Sequence, residues 1–248
     1  MINFYRKLRK KLIEEGKVAN YLKYALGEII LVVIGILIAL QINTWNNNLQ
    51  DKQKSIVFHT RLIEDVDRVI ERAKTLNERA NTTLTAITNS VAVLEKGEIA
   101  TQQNQADLDS ALLRFSRFNY QQPELPTWEE MKSNGELDLI YSISLRNNLA
   151  EFNSYLFVVA SIYKTLGEGV YEELSLFDKY VRSYVDPVIL KVTNKFDFDA
   201  MAAHPVFINR FSRISLPWRG SAYFSSQVER NAIPVKQELQ KELDKLTQ

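Results

Sequence analysis

The chain has 248 residues, of which 46% are hydrophobic and 25% are charged, a composition typical of globular domains. Its formal net charge of +1 is too small to indicate electrostatic binding to nucleic acid, and the sequence has no zinc finger, RNA-binding aromatic motif or basic recognition helix. Because it has no cysteine, it can form no disulfide, thiolate nucleophile or cysteine-ligated metal site.

The first 23 residues form a basic segment that we expect to lie in the cytoplasm. Five cationic side chains are clustered near its start: Arg6, Lys7, Arg9, Lys10 and Lys11. Apolar residues at Phe4, Leu8 and Leu12 are interspersed among them, a pattern typical of a short helix that lies on anionic lipid headgroups. The alternative is that these cations act only as topology signals for the segment that follows.

An apolar run from Ala25 to Ile42 predicts a transmembrane helix over residues 24–45. As an α-helix this run would span about 27 Å, close to the hydrocarbon thickness of a bilayer. Tyr24 and Trp45 lie where interfacial aromatic side chains are expected. Because Lys and Arg are concentrated before the run, we expect a cytoplasmic N-terminus and an extracytoplasmic C-terminal part.

Two other structures also fit an apolar run of this length. A cleaved signal peptide is disfavoured because Ala39-Leu40-Gln41 has a bulky Gln where a small residue is needed, and no lipobox cysteine follows. A buried core helix is disfavoured because the stretch from Ile29 to Leu40 has no polar face. The prediction is therefore an uncleaved anchor.

Four residues of the run are predicted to form a packing face: Glu28, Gly35, Ala39 and Ile42. Glu28, Gly35 and Ile42 recur every seven residues, and Gly35 with Ala39 forms a small-xxx-small pair suited to close helix approach. An ionisable residue within a span usually faces protein or water. We therefore expect this face to pack against a second copy of the chain or a partner membrane protein. The alternative places Glu28 at the cytoplasmic headgroups, paired with Lys23 or a lipid.

These residues also carry a family resemblance. The stretches 24–29 (YALGEI) and 33–46 (VIGILIALQINTWN) resemble the opening of an uncharacterised family of bacterial single-pass membrane proteins. Residues 127–149, which begin TWEEMKSNG, are similar to the middle region of that family. The resemblance implies one N-terminal span with a helical domain behind it. It implies no activity.

A long helix is predicted to continue from the run to Lys96. No proline precedes Pro123 and no glycine occurs between Gly35 and Gly97, so no residue of these types interrupts the helix. Apolar residues recur with a heptad period as far as Leu94. This seam could be filled by another copy or by the chain's own helices.

Polar residues interrupt the heptad seam at several points. His59 has apolar neighbours and is interpreted as a hydrogen-bonded structural histidine rather than a ligand. Asn77 resembles the buried polar residue that fixes register in coiled coils, the alternative being a partly exposed bundle asparagine. The run Asn46-Asn47-Asn48 marks a point where the helix could fray.

Residues 46–248 are predicted to form an all-α bundle without strands. Further helices are expected at residues 107–118, 127–135, 143–184 and 221–246. Thr127 and Glu130 have capping-box spacing at the start of the second of these, and Pro187 follows the third. Residues 194–224 are predicted to form short helices and loops.

No enzymatic activity, cofactor or metal is expected. The sequence lacks a Walker loop, a dinucleotide-binding turn, a nucleophile elbow and a zincin helix, and its only histidines are His59 and His204. The adjacent carboxylates at 64–65, 129–130 and 172–173 would point about 100° apart on a helix and are interpreted as solvated. A hydrolase or transferase remains an alternative.

The sequence therefore predicts an interaction or scaffold protein of the bacterial inner membrane: single-pass, with a periplasmic helical bundle. It would be an oligomer or an accessory subunit, with the lipid bilayer and a second copy or membrane protein as its partners. Two alternatives stay open. One is a ligand-sensing bundle that needs a signalling partner, and the other is an oligomeric channel with Glu28 lining the pore.

Overall fold

The computed structural model describes residues 18–118 and 123–248. The helices are α1 (Val18–Lys96), α2 (Gln102–Arg114), α3 (Pro126–Asn134), a 3-10 turn (Leu137–Leu139), α4 (Ile143–Tyr171), α5 (Leu174–Phe177), α6 (Phe198–Ala202) and α7 (Pro205–Thr247). Strands β1 (Val181–Val185) and β2 (Val192–Phe196) lie between α5 and α6. The described residues divide into two compact units, one that ends at Ser55 and one that covers Ile56–Gln248. The mainly helical fold predicted from the sequence is confirmed.

Helix α1 is unbroken from Val18 to Lys96, so the Asn46–Asn48 run does not interrupt it. It ends where Gly97 takes a φ of 73°, a left-handed conformation that favours glycine. The Gly97 N–H donates to the carbonyl of Val93 at 3.1 Å, as is typical of a helix C-terminus. The predicted end of this helix is confirmed.

Within the Ile56–Gln248 unit, α7 packs antiparallel to α1. Lys236 Nζ lies 2.6 Å from Asp67 Oδ1, and Asn77 Nδ2 donates to the carbonyl of Ala222 at 2.7 Å. The later residue on α1, Asn77, contacts the earlier residue on α7, Ala222, so the two helices run in opposite directions. The apolar side chains of this part of α1 are buried in the core that α4 and α7 complete, among them Leu62, Val66, Val69, Ala73 and Ile87. From Phe58 onward, the heptad seam therefore packs on the chain's own helices.

An aromatic cluster closes one end of this core. The ring centroids of Phe115 and Phe177 lie 4.2 Å apart in a stacked arrangement. Phe211 lies edge-on to both, at 6.0 Å from Phe115 and 5.3 Å from Phe177, and Phe207 packs 4.9 Å from Phe177. The cluster joins the region after α2, the short helix α5 and the start of α7.

The prediction of a helix over residues 143–184 is wrong in its second half. Helix α4 ends at Tyr171, and residues 181–196 form an antiparallel hairpin in which Val181 pairs with Phe196 and Val185 with Val192. Val170, Phe177 and Tyr184 have helical spacing, but β-branched and aromatic residues between 181 and 196 favour strands. The turn between them begins with Asp186-Pro187, which cannot continue a helix.

The expectation of short helices and loops over residues 194–224 holds for the short helix α6 but is wrong from Pro205 onward, because α7 is one helix from Pro205 to Thr247 that contains Pro217 and Pro234. A proline within a helix removes one backbone hydrogen bond and costs about 3 kcal/mol. Phe207, Phe211 and Trp218 are all buried on one face of α7. Each such ring contributes about 1.5–3 kcal/mol on burial, which together offsets the cost of the prolines.

Candidate functional site

Helix α1 contains the one segment of the described chain that is long and apolar enough to cross a membrane. From Ile29 to Leu40 every side chain is exposed, including Leu31 at 72% and Ile34 at 50%. Aliphatic side chains exposed around a whole helix are unfavourable in water and favourable in lipid. By length and composition, this segment is a candidate membrane anchor.

The predicted packing face lies on this segment. Its four residues, Glu28, Gly35, Ala39 and Ile42, are all exposed on α1. A Cβ atom added at Gly35 would meet no atom within 4 Å, so a second helix could approach this position closely. The face stays a prediction, as does its partner. The basic residues Arg6, Lys7, Arg9, Lys10 and Lys11 lie outside the described residues.

His59 is buried near the start of the bundle. Its Nε2 lies 3.3 Å from Oε1 of Glu242 on α7, and the same carboxylate oxygen accepts from the backbone N–H of Ser142 at 3.2 Å. Ser142 in turn caps α4, because its side chain accepts from the N–H of Leu145. His59 therefore connects α1 to α7 and, through Glu242, to the start of α4. Its interpretation as a hydrogen-bonded structural histidine stays a prediction.

Asn77 also connects helices within the chain. Its side-chain amide donates to the Ala222 carbonyl, and its Oδ1 accepts from Nδ2 of Asn81 at 2.9 Å. A donor fixed to one carbonyl on α7 sets the register of α1 against α7. Asn77 is partly buried, which fits the alternative of a bundle asparagine. The hydrogen bond that sets the register is made to the chain's own α7.

The interpretation of Asp65 as a solvated carboxylate is wrong. Asp65 on α1 is buried, and its Oδ2 accepts from the backbone N–H of Thr127 at 2.8 Å. Thr127 is the second residue of α3, whose own N-cap residue, Leu125, provides no side-chain hydrogen bond. Asp65 thus satisfies an N-terminal N–H of α3 and complements its dipole, while Arg68 donates to its other oxygen.

The predicted capping box of Thr127 and Glu130 is therefore wrong as well. Glu130 instead pairs with Arg61 of α1, whose Nη1 donates to Oε1 at 3.1 Å. The hydrogen bond and charge of Arg61 lower the pKa of Glu130. Of the other carboxylates, Glu173 is mostly buried and lies 3.3 Å from Arg210 on α7. Here again, a contact distant in the sequence determines the role of a charged residue.

Replacing Asp65 with Ala should destabilise the bundle by about 2 kcal/mol, because the buried N–H of Thr127 and the N-terminus of α3 would lose their acceptor. Its neighbour Glu64 is exposed, and Glu64→Ala should change the stability by less than about 0.5 kcal/mol. Urea unfolding of both variants, followed by circular dichroism, measures the difference. Equal midpoints for the two would contradict the capping role.

Further polar groups in the core are satisfied where α7 contacts α4 and the end of α2. Tyr163 donates to the carbonyl of Ser221 at 2.7 Å and lies 2.5 Å from Oγ of Ser225. Burial raises the pKa of the Tyr163 hydroxyl. Trp218 donates from Nε1 to the carbonyl of Phe115 at 3.1 Å. These hydrogen bonds connect elements of the bundle, and the polar atoms that form them face one another in the core.

Two open grooves lie on the bundle surface. One, of about 460 Å³, runs between α4 and α7, and there Asn148 Nδ2 donates to Glu238 Oε2 at 2.8 Å. The other, of about 500 Å³, is lined by Trp128, Arg146 and Asn153 beside α3 and α4. In the part of the chain that the structure describes, no group of three His, Cys, Asp or Glu side chains could hold a metal ion.

Comparison with known proteins gives one match. Residues 28–94, about a quarter of the chain, match the model of a family described as a family of unknown function (DUF6090). No curated protein and no solved structure matches the chain. The match begins at Glu28 in the apolar segment and ends at Leu94 near the end of α1, so the looser likeness over residues 127–149 lies outside it. From Glu28 to Leu94, the chain is thus similar to an uncharacterised family, as its N-terminal residues predicted.

Proposed function

We propose that this chain is a single-pass, membrane-anchored interaction or scaffold protein of the bacterial envelope. The observation that carries the proposal is the segment from Ile29 to Leu40, which is apolar and exposed around its whole circumference. Insertion into a bilayer would remove this surface from water. The Ile56–Gln248 unit would then be held at the membrane by α1.

The bundle itself supports a scaffolding role. Its buried polar residues connect helices, as His59 does with Glu242, Asp65 with α3 and Asn77 with α7. Such contacts specify one arrangement of helices and give a rigid unit. A rigid unit on a membrane anchor is suited to positioning another protein.

We further propose that the N-terminus is cytoplasmic and that the bundle is periplasmic, in the inner membrane. Support comes from the cations that precede the apolar run, which include Lys17 and Lys23, against Lys52 and Lys54 shortly after it. The partner of the anchor would be a second copy of the chain, or another membrane protein, packed on the face of Glu28 and Gly35. Close approach at Gly35 and a polar contact at Glu28 would stabilise this pairing.

The oligomer is tested by measuring the mass of the complex in lipid nanodiscs. We expect wild-type protein to exceed the protomer mass of 28.7 kDa, and a Glu28→Leu, Gly35→Leu variant to fall to it. The variant removes the polar contact and fills the close-approach position, while its greater hydrophobicity favours insertion. Loss of the oligomer could not then result from failure to insert.

A matched control places bulk on the opposite face of the same helix. Ile30→Phe with Leu37→Phe lies about 180° away from Glu28 and Gly35 and should leave the mass unchanged. If the control dissociates as readily as the test variant, the packing face is wrong. If wild type and both variants are all protomers, the oligomer is wrong and the anchored bundle acts singly.

A further inference from the structure

The turn of the β-hairpin carries a cluster of exposed aliphatic side chains, here named the apolar cap. Its members have exposed fractions between 43% at Val192 and 86% at Val188, and they are Val185, Val188, Ile189, Leu190 and Val192. Val185 and Val192 face each other across the two strands, and the other three follow Pro187 in the turn. An exposed contiguous apolar cluster of this kind marks a surface that is covered in use.

The turn that presents the apolar cap satisfies its own polar groups. The backbone N–H of Asp186 donates to the Lys191 carbonyl, and the Leu190 N–H donates to the Asp186 carbonyl, both at 2.9 Å. Oδ1 of Asp186 accepts from the N–H groups of Ile189 at 3.1 Å and Val188 at 2.8 Å, and these bonds lower the pKa of Asp186. The aliphatic side chains point outward while the backbone polar groups are paired.

Leu190 has a φ of 52°, in the left-handed region where a bulky residue is uncommon. Glycine or asparagine would adopt this conformation at lower cost, since Leu pays roughly 1–2 kcal/mol there. The turn thus holds a leucine that is 78% exposed at a position that favours glycine. Contact with an apolar phase would account for a leucine at this position.

Cationic and aromatic side chains lie directly behind the apolar cap. Arg182 and Lys195 lie opposite each other on the two strands. Both cations lie over the ring of Tyr184, with Cζ of Arg182 at 5.9 Å and Nζ of Lys195 at 5.7 Å from its centroid. Like charges opposite each other destabilise a hairpin, and an anion bound near them would offset that repulsion. Lys191, in the turn, adds a third exposed cation.

We propose that the hairpin inserts its apolar cap into the surface of an anionic lipid bilayer. Arg182 lies three positions before Val185, about 10 Å along a strand, and interfacial segments penetrate about 5–10 Å. With the cap among the acyl chains, Tyr184 would lie at the interface and Arg182 with Lys195 at the headgroup phosphates. The hairpin carries three cations, Arg182, Lys191 and Lys195, against the one carboxylate of Asp186, whose oxygen is held by N–H groups of the turn. Its net charge is thus complementary to an anionic surface.

The aliphatic character of the cap favours lipid over a protein groove. Hot spots at protein interfaces are enriched in Trp, Tyr and Arg at the centre, with Leu and Val under-represented. The cap contains only Val, Ile and Leu, and its Tyr and Arg lie behind it at the depth of an interface. Fluid acyl chains adapt to aliphatic side chains of any shape, whereas a protein groove must match them.

This lipid contact would lie at one end of the bundle. Phe207, near the start of α7, packs 5.1 Å from Tyr180 beside β1, whereas Glu242, near its other end, contacts His59. Thirty-five residues of helix correspond to about 50 Å, so the hairpin and His59 lie at opposite ends of the bundle. The hairpin would hold the end of the bundle remote from His59 at a bilayer surface.

The test uses full-length protein in phosphatidylcholine nanodiscs, mixed with large vesicles of phosphatidylcholine alone or with phosphatidylglycerol added. Bound protein is measured by sedimentation of the vesicles. We expect wild type to sediment with phosphatidylglycerol vesicles, and partition of a Val188→Ser, Ile189→Ser, Leu190→Ser variant to fall by about a thousandfold, to background. Partition of Arg182→Gln with Lys195→Gln should fall by about fivefold per cation, on the anionic vesicles only.

The matched control replaces three exposed residues of the same types on α7. Val206→Ser, Leu216→Ser and Ile233→Ser should leave vesicle binding as in wild type. An independent measurement uses the variant Ile189→Trp, which keeps the turn apolar. The fluorescence of the added tryptophan should be quenched by phosphatidylglycerol vesicles with brominated acyl chains, because the turn would lie among those chains. This second variant keeps the proposal testable if the serine variant unfolds.

Three results would overturn the proposal. The first is wild type that binds neither kind of vesicle, in which case a protein partner is the better account of the apolar cap. The second is equal wild-type binding to neutral and anionic vesicles, which removes the role of the cations. The third is a folded turn variant that binds as wild type does. None of these results depends on the packing face of α1.

Discussion

Replacing Ile34 and Ile38 with Arg should release the protein from the membrane. Both side chains are about half exposed within the apolar segment of α1. Each arginine near the centre of a span costs about 2.5–3.5 kcal/mol on insertion scales, so two cost roughly 6 kcal/mol. The strictly apolar part of the segment covers only about 18 Å, so its favourable free energy of insertion into a bilayer is too small to offset that cost.

The measurement is extraction of membranes at alkaline pH, which removes peripheral proteins and leaves spanning ones in the pellet. Wild type should remain in the pellet, and the arginine variant should be in the supernatant. Ile34→Val with Ile38→Val changes the same positions, keeps them apolar and should behave as wild type. Pelleting of a folded arginine variant would show that another part of the chain holds it in the membrane.

Replacing Phe211 with Ala should destabilise the bundle by about 3–5 kcal/mol. The side chain is fully buried and packs against the rings of Phe115, Phe177 and Phe207. Removing a ring from the centre of this cluster loses its transfer free energy and leaves a cavity that neighbours from three elements cannot fill together. A change of this size is a large part of the stability of a typical domain.

Phe157 gives the matched control, because it is a phenylalanine on α4 that is 54% exposed. Phe157→Ala should change the free energy of unfolding by less than about 0.5 kcal/mol. Urea unfolding in nanodiscs, followed by circular dichroism, compares both variants with wild type. Losses of similar size for Phe211→Ala and Phe157→Ala would show that the aromatic cluster is not the centre of the core.

The sequence predicted the elements that depend on local pattern. The apolar run of α1 is recognised by hydropathy, and the end of α1 is recognised by Lys96-Gly97, because a glycine readily takes the left-handed conformation that ends a helix. The apolar stripe of α1 predicted a bundle core, and Leu62 and Val66 are buried in it. Each of these features involves residues within a few turns of one another.

Only the tertiary structure decided the roles of the polar residues. Asp65 and Glu64 are adjacent carboxylates, yet Asp65 is buried because Thr127, 62 residues away, brings a backbone N–H to it. The partner of Asn77 lies 145 residues away on α7. Sequence periodicity shows which face of a helix is apolar, but it does not show which distant group meets a polar side chain on that face.

The hairpin and α7 show the same limit for secondary structure. Val170, Phe177 and Tyr184 fit a helical period that α4 does not keep, and α7 continues through Pro217 and Pro234 without a break. In both places, burial against other elements outweighs a local preference of a few kcal/mol. The sequence by itself thus determined the apolar segment of α1 and the helical class. The packing of distant residues decided where strands replace helix, which carboxylates are buried, and that the apolar cap is left exposed.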